Sequence, residues 1–224
     1  MLSKSKTVYA DRTAKTTKLA VTAMLAALAG VLMFFEFPLG FIAPPFYEFN
    51  FSEIPVLIGT FSMGPVAGVV IEFIKILVAL LIKGTTTGCV GELANFLIGC
   101  AFVIPAGLIY KHKKSRVGAI VGMLIGTLAM AVVGVLLNAF VLVPMYSAFM
   151  PITEIIKMGQ AIFPAIDSTF TFCVYCVGPF NLIKGIVVSI VVFIIYKPLS
   201  HLISNLDNLL KKKKSSKQPL TNQK

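Results

Sequence analysis

Residues 111–143 read KHKKSRVGAIVGMLIGTLAMAVVGVLLNAFVLV, and this stretch decides the class of fold. Four lysine or arginine residues in 111–116 are followed by 27 residues, 117–143, that carry no charged side chain. A transmembrane helix needs about 20 consecutive apolar residues, and basic residues that flank a span mark its cytoplasmic side. The stretch therefore predicts a membrane-spanning helix that starts at the cytoplasmic face.

The same character extends along the whole chain of 224 residues, of which 57% are hydrophobic and 13% are charged. Average soluble proteins carry about 25% charged residues, so this chain has too little polar surface to coat a soluble particle. We therefore predict an all-α integral membrane protein with no soluble domain.

The formal net charge of +11 is concentrated at a few places. Sixteen of the 20 lysine and arginine residues lie in the N-terminal arm, in 111–116 and in the C-terminal tail, all beside apolar runs. Such placement is typical of cytoplasmic membrane flanks, and it argues against a nucleic-acid partner.

Proline, glycine and polar residues divide the apolar sequence into six helices. Six spans place both termini and 111–116 on the cytoplasmic face, whereas five or seven would separate the two terminal basic clusters. We therefore predict six transmembrane helices with both termini cytoplasmic, at about 16–35, 52–63, 65–82, 91–110, 117–143 and 179–196.

The domain organisation follows from the same reading. Residues 1–15 form a polar N-terminal arm, and 16–197 form the six-helix membrane domain. In 198–224, leucines recur at helical spacing before a run of four lysines. This pattern predicts an interfacial amphipathic helix and a polybasic tail that binds anionic lipids.

The loop 36–50, EFPLGFIAPPFYEFN, is unusually apolar and aromatic. Its three prolines exclude a continuous helix. Such backbone is tolerated near a membrane only where protein covers it or where it lines a cavity. After the loop, Ser52 and Glu53 suggest an N-cap and a first-turn acid for the second helix.

Charged residues inside spans are costly and therefore indicate function. Glu72 and Lys75 lie three residues apart on the third helix. They form either a self-compensating pair that lowers the cost of insertion or part of a functional site.

Other polar residues converge on the outer half of the bundle. Lys184 lies one turn after Asn181; it either faces a site or extends outward to the headgroups. Amides and a cation in an aromatic setting describe a small-molecule pocket. The candidate lining residues from the helices are Glu92, Asn95, Asn138, Asn181 and Lys184.

No pattern of catalytic or metal-binding residues accompanies this pocket. Cys173 and Cys176 have the spacing of a metal or redox pair, but no histidine lies nearby, and structural metal sites require about four ligands. No nucleotide-binding loop is present either. We predict neither an enzyme nor a metal site, and any pumping must draw on an ion gradient or on a partner.

Small residues recur four apart on two helices, at Ala23 and Ala27 and at Gly118, Gly122 and Gly126. Small side chains at this spacing let helices approach closely. For the glycines we predict packing inside the bundle. The alanine spacing alone leaves open internal packing or contact with a partner.

The chain resembles the substrate-binding S components of energy-coupling factor (ECF) transporters, and specifically the riboflavin-specific type. The resemblance covers about 16–197. It rests on Ala23-x-x-x-Ala27, FSEIPVLI at 51–58, GPVAG at 64–68, GELANF at 91–96, Leu137-Asn138 followed by PMY at 144–146, and GPFNLIKG at 178–185.

The resemblance implies an S-component-like bundle in the bacterial cell membrane. It has no ATPase of its own and pairs with a transmembrane coupling subunit and two nucleotide-binding ATPase subunits. Riboflavin is then the transported ligand, with no further cofactor. Ala23 and Ala27 would dock on the coupling subunit. The resemblance also implies a flavin site made by helices five and six and a capping loop: Asn138, Asn181, Lys184, Tyr47, Glu48 and Phe49.

Three other functions remain open from the sequence. The same scaffold could bind a different vitamin, because the pocket decides specificity. A stand-alone ion-coupled transporter should show interrupted helices in paired positions, and none is evident. An intramembrane enzyme would need a catalytic pair within a span, for which only Glu72 and Lys75 could serve.

Overall fold

A computed structural model describes residues 2–85 and 88–195, with side chains from residue 15 onward. The predicted lipid-binding tail at 198–224 lies outside the described residues. Two short antiparallel strands, β1 (Phe37–Pro38) and β2 (Glu48–Phe49), interrupt an otherwise helical chain. The helices are α1 (Leu2–Met33), α2 (Glu53–Met63), α3 (Pro65–Lys83), α4 (Val90–His112), α5 (Arg116–Tyr146), α6 (Ile152–Gln160) and α7 (Thr169–Ile195).

Five helices in the described part of the chain are long and apolar enough to cross a membrane: α1 from Lys15 onward, α3, α4, α5 and α7. Helix α2 is apolar but has 11 residues, so it measures about 16 Å at 1.5 Å per residue. That is about half of a hydrocarbon core of ~30 Å. The predicted helix at 52–63 therefore exists, but it is not a span of full length.

The helices run alternately between two ends of the bundle. Lys18 of α1, Gly64 between α2 and α3, and Lys111 of α4 line one cavity and so mark one end, which we name the basic end. Gly64 has a φ of +99°, a conformation that glycine adopts without a steric penalty. The loop between α1 and α2, residues 34–52, lies toward the opposite end, and we name this loop the lid.

The glycines of α5 are buried against α4, as the sequence predicted. A Cβ on Gly122 would lie 2.8 Å from the Ala106 carbonyl oxygen, and one on Gly126 would lie 2.5 Å from the Phe102 carbonyl oxygen. Only glycine permits this approach of the two backbones. Helix α5 is thereby fixed against α4, and both contribute walls to the cavity described below.

The small residues of α1 lie differently. Ala26 and Ala29 are fully buried, whereas Ala23 and Ala27 are exposed. The alternative in which Ala23 and Ala27 pack inside the bundle is therefore wrong. The face of α1 that carries Ala23 and Ala27 therefore lies on the surface of the bundle.

The last helix, α7, begins at Thr169, about ten residues before the predicted start at 179. The Ser168 side chain accepts a hydrogen bond from the Thr171 backbone N–H, and Thr171 reciprocates, so a capping box starts the helix. The polar residues here suggested a loop, but they serve as the cap. A π-helical turn at Cys173–Val177 then connects to the motif residues that follow.

Candidate functional site

The lid is held by aromatic packing. β1 pairs with β2 through Phe37 opposite Phe49, and the Phe49 ring lies 5.3 Å from Phe37 and 5.2 Å from Phe51 between ring centroids. Phe49 is 3% exposed and packs against these lid residues. It does not line either of the two cavities described below. Its predicted contact with ligand therefore gains no support from the geometry.

The end of the lid differs from the predicted N-cap. The Ser52 side chain does not cap α2. Instead its hydroxyl donates to Asn50 Oδ1 at 2.6 Å, and its backbone N–H donates to the same oxygen at 3.2 Å. The lid therefore ends in a buried turn that leads directly into Glu53.

Tyr47 anchors the lid to α5. Its hydroxyl donates to Asn138 Oδ1 at 2.8 Å, and Asn138 Nδ2 donates to the Gly134 carbonyl at 2.8 Å. Burial raises the pKa of Tyr47 well above its ordinary value, so the phenol keeps its proton and remains a donor. The Tyr47 ring lies 5.8 Å from the Phe180 ring of α7. The lid thus bridges α5 and α7, which carry the predicted amides Asn138 and Asn181.

A cavity of about 120 Å³ lies beneath the lid, and we name it the deep chamber. Four of the predicted polar residues from the helices and two from the lid meet here. The lining is Phe46, Tyr47, Glu48, Gly91, Ala94, Asn95, Ile98, Gly99, Met130, Asn138, Tyr146, Phe180, Asn181 and Lys184.

Asn181 and Lys184 are the buried polar groups that α7 contributes to the deep chamber. Asn181 is 4% exposed, and its Nδ2 donates to the Val177 carbonyl at 3.0 Å, which leaves Oδ1 as an acceptor for a ligand. Lys184 is 5% exposed, so the alternative in which it extends to the headgroups is wrong. Its nearest ion-pair oxygen, Glu53 Oε1, is 3.9 Å away, too far for a hydrogen bond.

A second cavity of about 350 Å³, the rim chamber, adjoins the deep chamber. The two share Phe46, Glu48, Gly91, Asn95 and Tyr146. Its other polar lining residues are Glu36, Asn50, Lys83 and Glu92. The predicted residue Glu92 lies here, away from the deep chamber.

The carboxylates of the rim chamber are partly engaged by neighbours. Glu36 of the lid forms an ion pair with Lys83 at the end of α3. Glu92 Oε2 accepts a hydrogen bond from the Thr85 hydroxyl at 3.1 Å. Partial burial raises the pKa of Glu48. The rim chamber is therefore rich in hydrogen-bond acceptors.

Sequence reasoning missed one buried residue beside this site, Glu53, which it placed as a first-turn acid at the outer start of a span. Glu53 is fully buried, and its Oε1 lies 2.9 Å from Lys75 Nζ. Lys75 also lies 2.6 Å from Glu72 Oε1, so the predicted Glu72–Lys75 pair forms. We name Glu53, Glu72, Lys75 and Lys184 the buried charge cluster.

A signal for Glu53 was present in the sequence. Residues 53–63 are too few to cross the bilayer at 1.5 Å per residue. A helix that ends at the basic end with Met63 must therefore begin near mid-depth, at the level of Glu72 and Lys75 on α3. At the same rise per residue on both sides of Gly64, Glu53 of α2 lies at about the same depth as Glu72 and Lys75 of α3.

The arrangement suits a flat ligand of mixed polarity. Apolar and aromatic walls enclose the deep chamber, three amides and one ammonium offer both donors and acceptors, and carboxylates lie at the rim. In the described residues, no group of three or more histidine, cysteine or acidic residues could hold a metal ion. The polar side chains of the two chambers offer hydrogen bonds to a ligand.

Comparison with known proteins gives consistent matches. Residues 17–196 match the family described as ECF transporter, substrate-specific component. The chain is 37% identical to the riboflavin transporter RibU of Staphylococcus aureus (strain TCH60), over 84% of this chain and 93% of that protein. It is 36% identical to the riboflavin transporter FmnP of Bacillus subtilis (strain 168), over 82% of this chain and 94% of that protein.

A solved structure matches as well. The chain aligns with a structure described as the S component of a bacterial ECF transporter with a TM-score of 0.67 and 36% sequence identity. The alignment covers 84% of this chain and 98% of the other. The arrangement of helices is thus shared with that S component.

Proposed function

Because this chain belongs to the substrate-specific components of ECF transporters, we propose that it is the riboflavin-binding membrane subunit of a vitamin uptake system. It is a transport component and not an enzyme. The observation that carries the proposal is the deep chamber, where Asn138, Asn181 and Lys184 meet beneath the lid. The relatives at 36% and 37% identity, both riboflavin transporters, support the choice of ligand.

The chemistry of riboflavin fits the two chambers. Its flat tricycle has a pyrimidine edge that needs both donors and acceptors, which Asn181 and Lys184 can supply. The apolar part of the tricycle packs on walls such as Met130 and Phe180. Its polyol tail carries hydroxyl donors that suit the carboxylates of the rim chamber, Glu48 and Glu92. Asn95 lines both chambers and can contact either part.

We place the basic end in the cytoplasm of a bacterial cell. Lys18 and Lys111 lie there with Gly64, and basic residues accumulate on the cytoplasmic side. Helix α2 and the lid together act as the sixth crossing, so that both termini are cytoplasmic. Because Cys89 is free and exposed, the test uses a Cys89→Ser background. There a membrane-impermeant thiol reagent applied from outside should label Thr153→Cys on α6 but not Lys113→Cys. The reverse labelling would overturn this topology.

Transport requires an energy source outside this chain. We propose the partners that the family resemblance implies, a transmembrane coupling subunit and two nucleotide-binding ATPase subunits. The exposed face of α1 at Ala23 and Ala27 is the proposed docking surface, because small side chains permit close helix contact. The basic tail at 198–224 is proposed to bind anionic lipids.

The test is titration of riboflavin fluorescence with the purified protein. Loss of one partner of a buried hydrogen bond costs about 1–3 kcal/mol, which is roughly tenfold in affinity. We therefore expect Asn181→Ala and Lys184→Ala each to weaken binding by about tenfold or more. Thr153→Ala, an exposed change on α6, is the matched control and should bind normally.

Two outcomes would overturn the proposal. Wild-type affinity in both variants would remove α7 from the site. Binding of another vitamin by the wild-type protein, with no quenching of riboflavin fluorescence, would instead assign the same scaffold to a different substrate.

A further inference from the structure

The buried charge cluster draws its members from three helices. Glu53 starts α2, Glu72 and Lys75 lie on α3, and Lys184 lies on α7. The first three are fully buried and Lys184 is 5% exposed. Two carboxylates and two ammonium groups make the fully ionised cluster neutral. Because an uncompensated charge is costly away from water, each member depends on the others for charge balance.

One carboxylate oxygen, Glu53 Oε1, lies between the two ammonium groups. It is 2.9 Å from Lys75 Nζ and 3.9 Å from Lys184 Nζ. Without an anion between them, the two ammonium groups would repel each other in a medium of low dielectric constant. Glu72 lies 2.6 Å from Lys75, and its ion pair is with Lys75 rather than Lys184. Glu53 is therefore the member that offsets the charge of Lys184.

The buried charge cluster also contacts a residue of the ligand cavity through Lys75. Its ammonium donates to Asn95 Oδ1 at 3.3 Å. This bond holds the Asn95 oxygen toward Lys75 and so fixes the orientation of the amide, with Nδ2 left as a donor. Asn95 lines both chambers and Lys184 lines the deep chamber. The cluster thus sets the orientation of two groups that face a ligand, although Glu53 and Lys75 line neither chamber.

The Glu53 carboxylate is also built into the end of the lid. It follows Ser52 directly, where the Asn50 side chain holds the last lid turn through two hydrogen bonds. Its second oxygen, Glu53 Oε2, is buried and has no hydrogen-bond partner among the described residues. A buried carboxylate with only one oxygen engaged is costly to maintain, which indicates that its place is set by the ammonium groups.

On the basis of the proposed riboflavin site, we infer that Glu53 is a positioning residue for ligand binding: it holds the Lys184 ammonium at the deep chamber and, through Lys75, orients the Asn95 amide. It does not touch the ligand. The larger part of its contribution to affinity therefore depends on the presence of Lys184, and the smaller part acts through Asn95.

A double-mutant cycle tests this dependence, with riboflavin affinity measured by fluorescence titration on the purified full chain. In the wild-type background, Glu53→Gln should weaken binding by about tenfold or more. In the Lys184→Met background, the same substitution should weaken binding by less than about threefold, because Lys184 is gone and only the smaller effect through Asn95 remains. Equal losses in the two backgrounds would indicate a purely structural role and overturn the inference.

Glu72→Gln is the matched control, since it makes the same change of side chain in the same cluster but leaves the pairing of Glu53 with Lys184. We expect its loss of affinity to be several-fold smaller than that of Glu53→Gln. An equal loss would assign the effect to any change in the cluster rather than to the position of Glu53, and would overturn the inference.

Should Glu53→Gln alone fail to fold, the neutral double variant Glu53→Gln/Lys75→Gln replaces it. This variant keeps Glu72 and Lys184 as opposite charges, and we expect it to fold but to bind at least tenfold more weakly than wild type. Wild-type affinity would overturn the inference. Absence of riboflavin binding in the wild-type protein itself would overturn the proposed function instead, so the two failures are distinguishable.

Discussion

Two stripes of small residues, each spaced by four, have opposite environments in this protein. Gly122 and Gly126 of α5 are buried against the α4 backbone, where a Cβ would lie 2.8 Å or 2.5 Å from a carbonyl oxygen. Ala23 and Ala27 of α1 follow the same spacing and are exposed. The glycine stripe holds α5 against α4 inside the bundle, and the alanine stripe remains available to a partner.

The difference shows what a spacing of four means in a membrane helix. It shows that another helix can approach this face closely, but it does not show which helix does so. On α5 the approaching element lies within the chain, so larger side chains should harm folding. On α1 we propose that it lies in another subunit, so larger side chains should harm assembly alone.

The largest expected effect is on transport, from a bulky residue on the exposed stripe. Ala27→Trp should abolish riboflavin uptake and co-purification with the coupling subunit, because the indole prevents close helix contact. Binding by the purified variant should match wild type. The control, Val132→Trp, enlarges a side chain that is 58% exposed on α5 and should transport normally. Joint loss of binding and uptake in Ala27→Trp would contradict the contrast between the stripes.

The second effect is on stability, from the buried stripe. Gly126→Leu should lower thermal stability and yield together, because overpacking costs about 1–3 kcal/mol or more. The Phe102 carbonyl belongs to the α4 backbone, so it cannot move aside as a side chain could. Thermal denaturation measures the change against Val132→Leu, an exposed substitution on the same helix. Unchanged stability would mean that the α4–α5 contact is looser than the structure shows.

A smaller effect is expected where the buried stripe reaches the ligand site. A Cβ on Gly134 would lie 2.6 Å from Asn181 Nδ2. Gly134→Ala should therefore displace the Asn181 side chain and weaken riboflavin binding several-fold, with little loss of stability because a side chain can move. Fluorescence titration and thermal denaturation on one preparation separate the two quantities. A large stability loss with normal affinity would refute this reading of Gly134.

The smallest effect is expected from removing a methyl group on the exposed stripe. Ala23→Gly should cost only the helix propensity of one residue, about 0.5–1 kcal/mol, and should leave riboflavin binding unchanged. Thermal denaturation of the isolated protein checks this value. A loss well above it would show that Ala23 makes packing contacts inside the chain.

Much of the fold could be predicted because apolar runs have a length that only a membrane helix requires. The long helices were located in this way, and the small-residue spacing of α5 correctly indicated internal packing. The environment of Ala23 and Ala27 could not be predicted, since spacing defines a face but not its orientation in the bundle. The start of α7 was missed because the polar residues Ser168 and Thr171 form a helix cap as readily as a loop.

The candidate site was predictable in part. Asn138, Asn181 and Lys184 were named because polar groups in spans are expensive, and they do meet in one chamber. Glu53 was missed because its position at a helix start suggested an ordinary first-turn acid. Its role depends on the depth at which α2 begins, which is a tertiary property. The packing of Phe49 within the lid likewise depends on the pairing of β1 with β2.

The π-helical turns of α5 and α7, at Asn138–Leu142 and Cys173–Val177, have a consequence for sequence change by insertion and deletion. Each accommodates one residue more than an α-helix of the same rise. Deleting the extra residue from either turn would restore regular α geometry and leave the residues beyond it in nearly the same orientation. Deleting a residue from a regular stretch of α5 or α7 would instead rotate everything beyond it by about 100°. The two turns are therefore the places where the length of these helices can change by one residue without turning the binding amides away from each other.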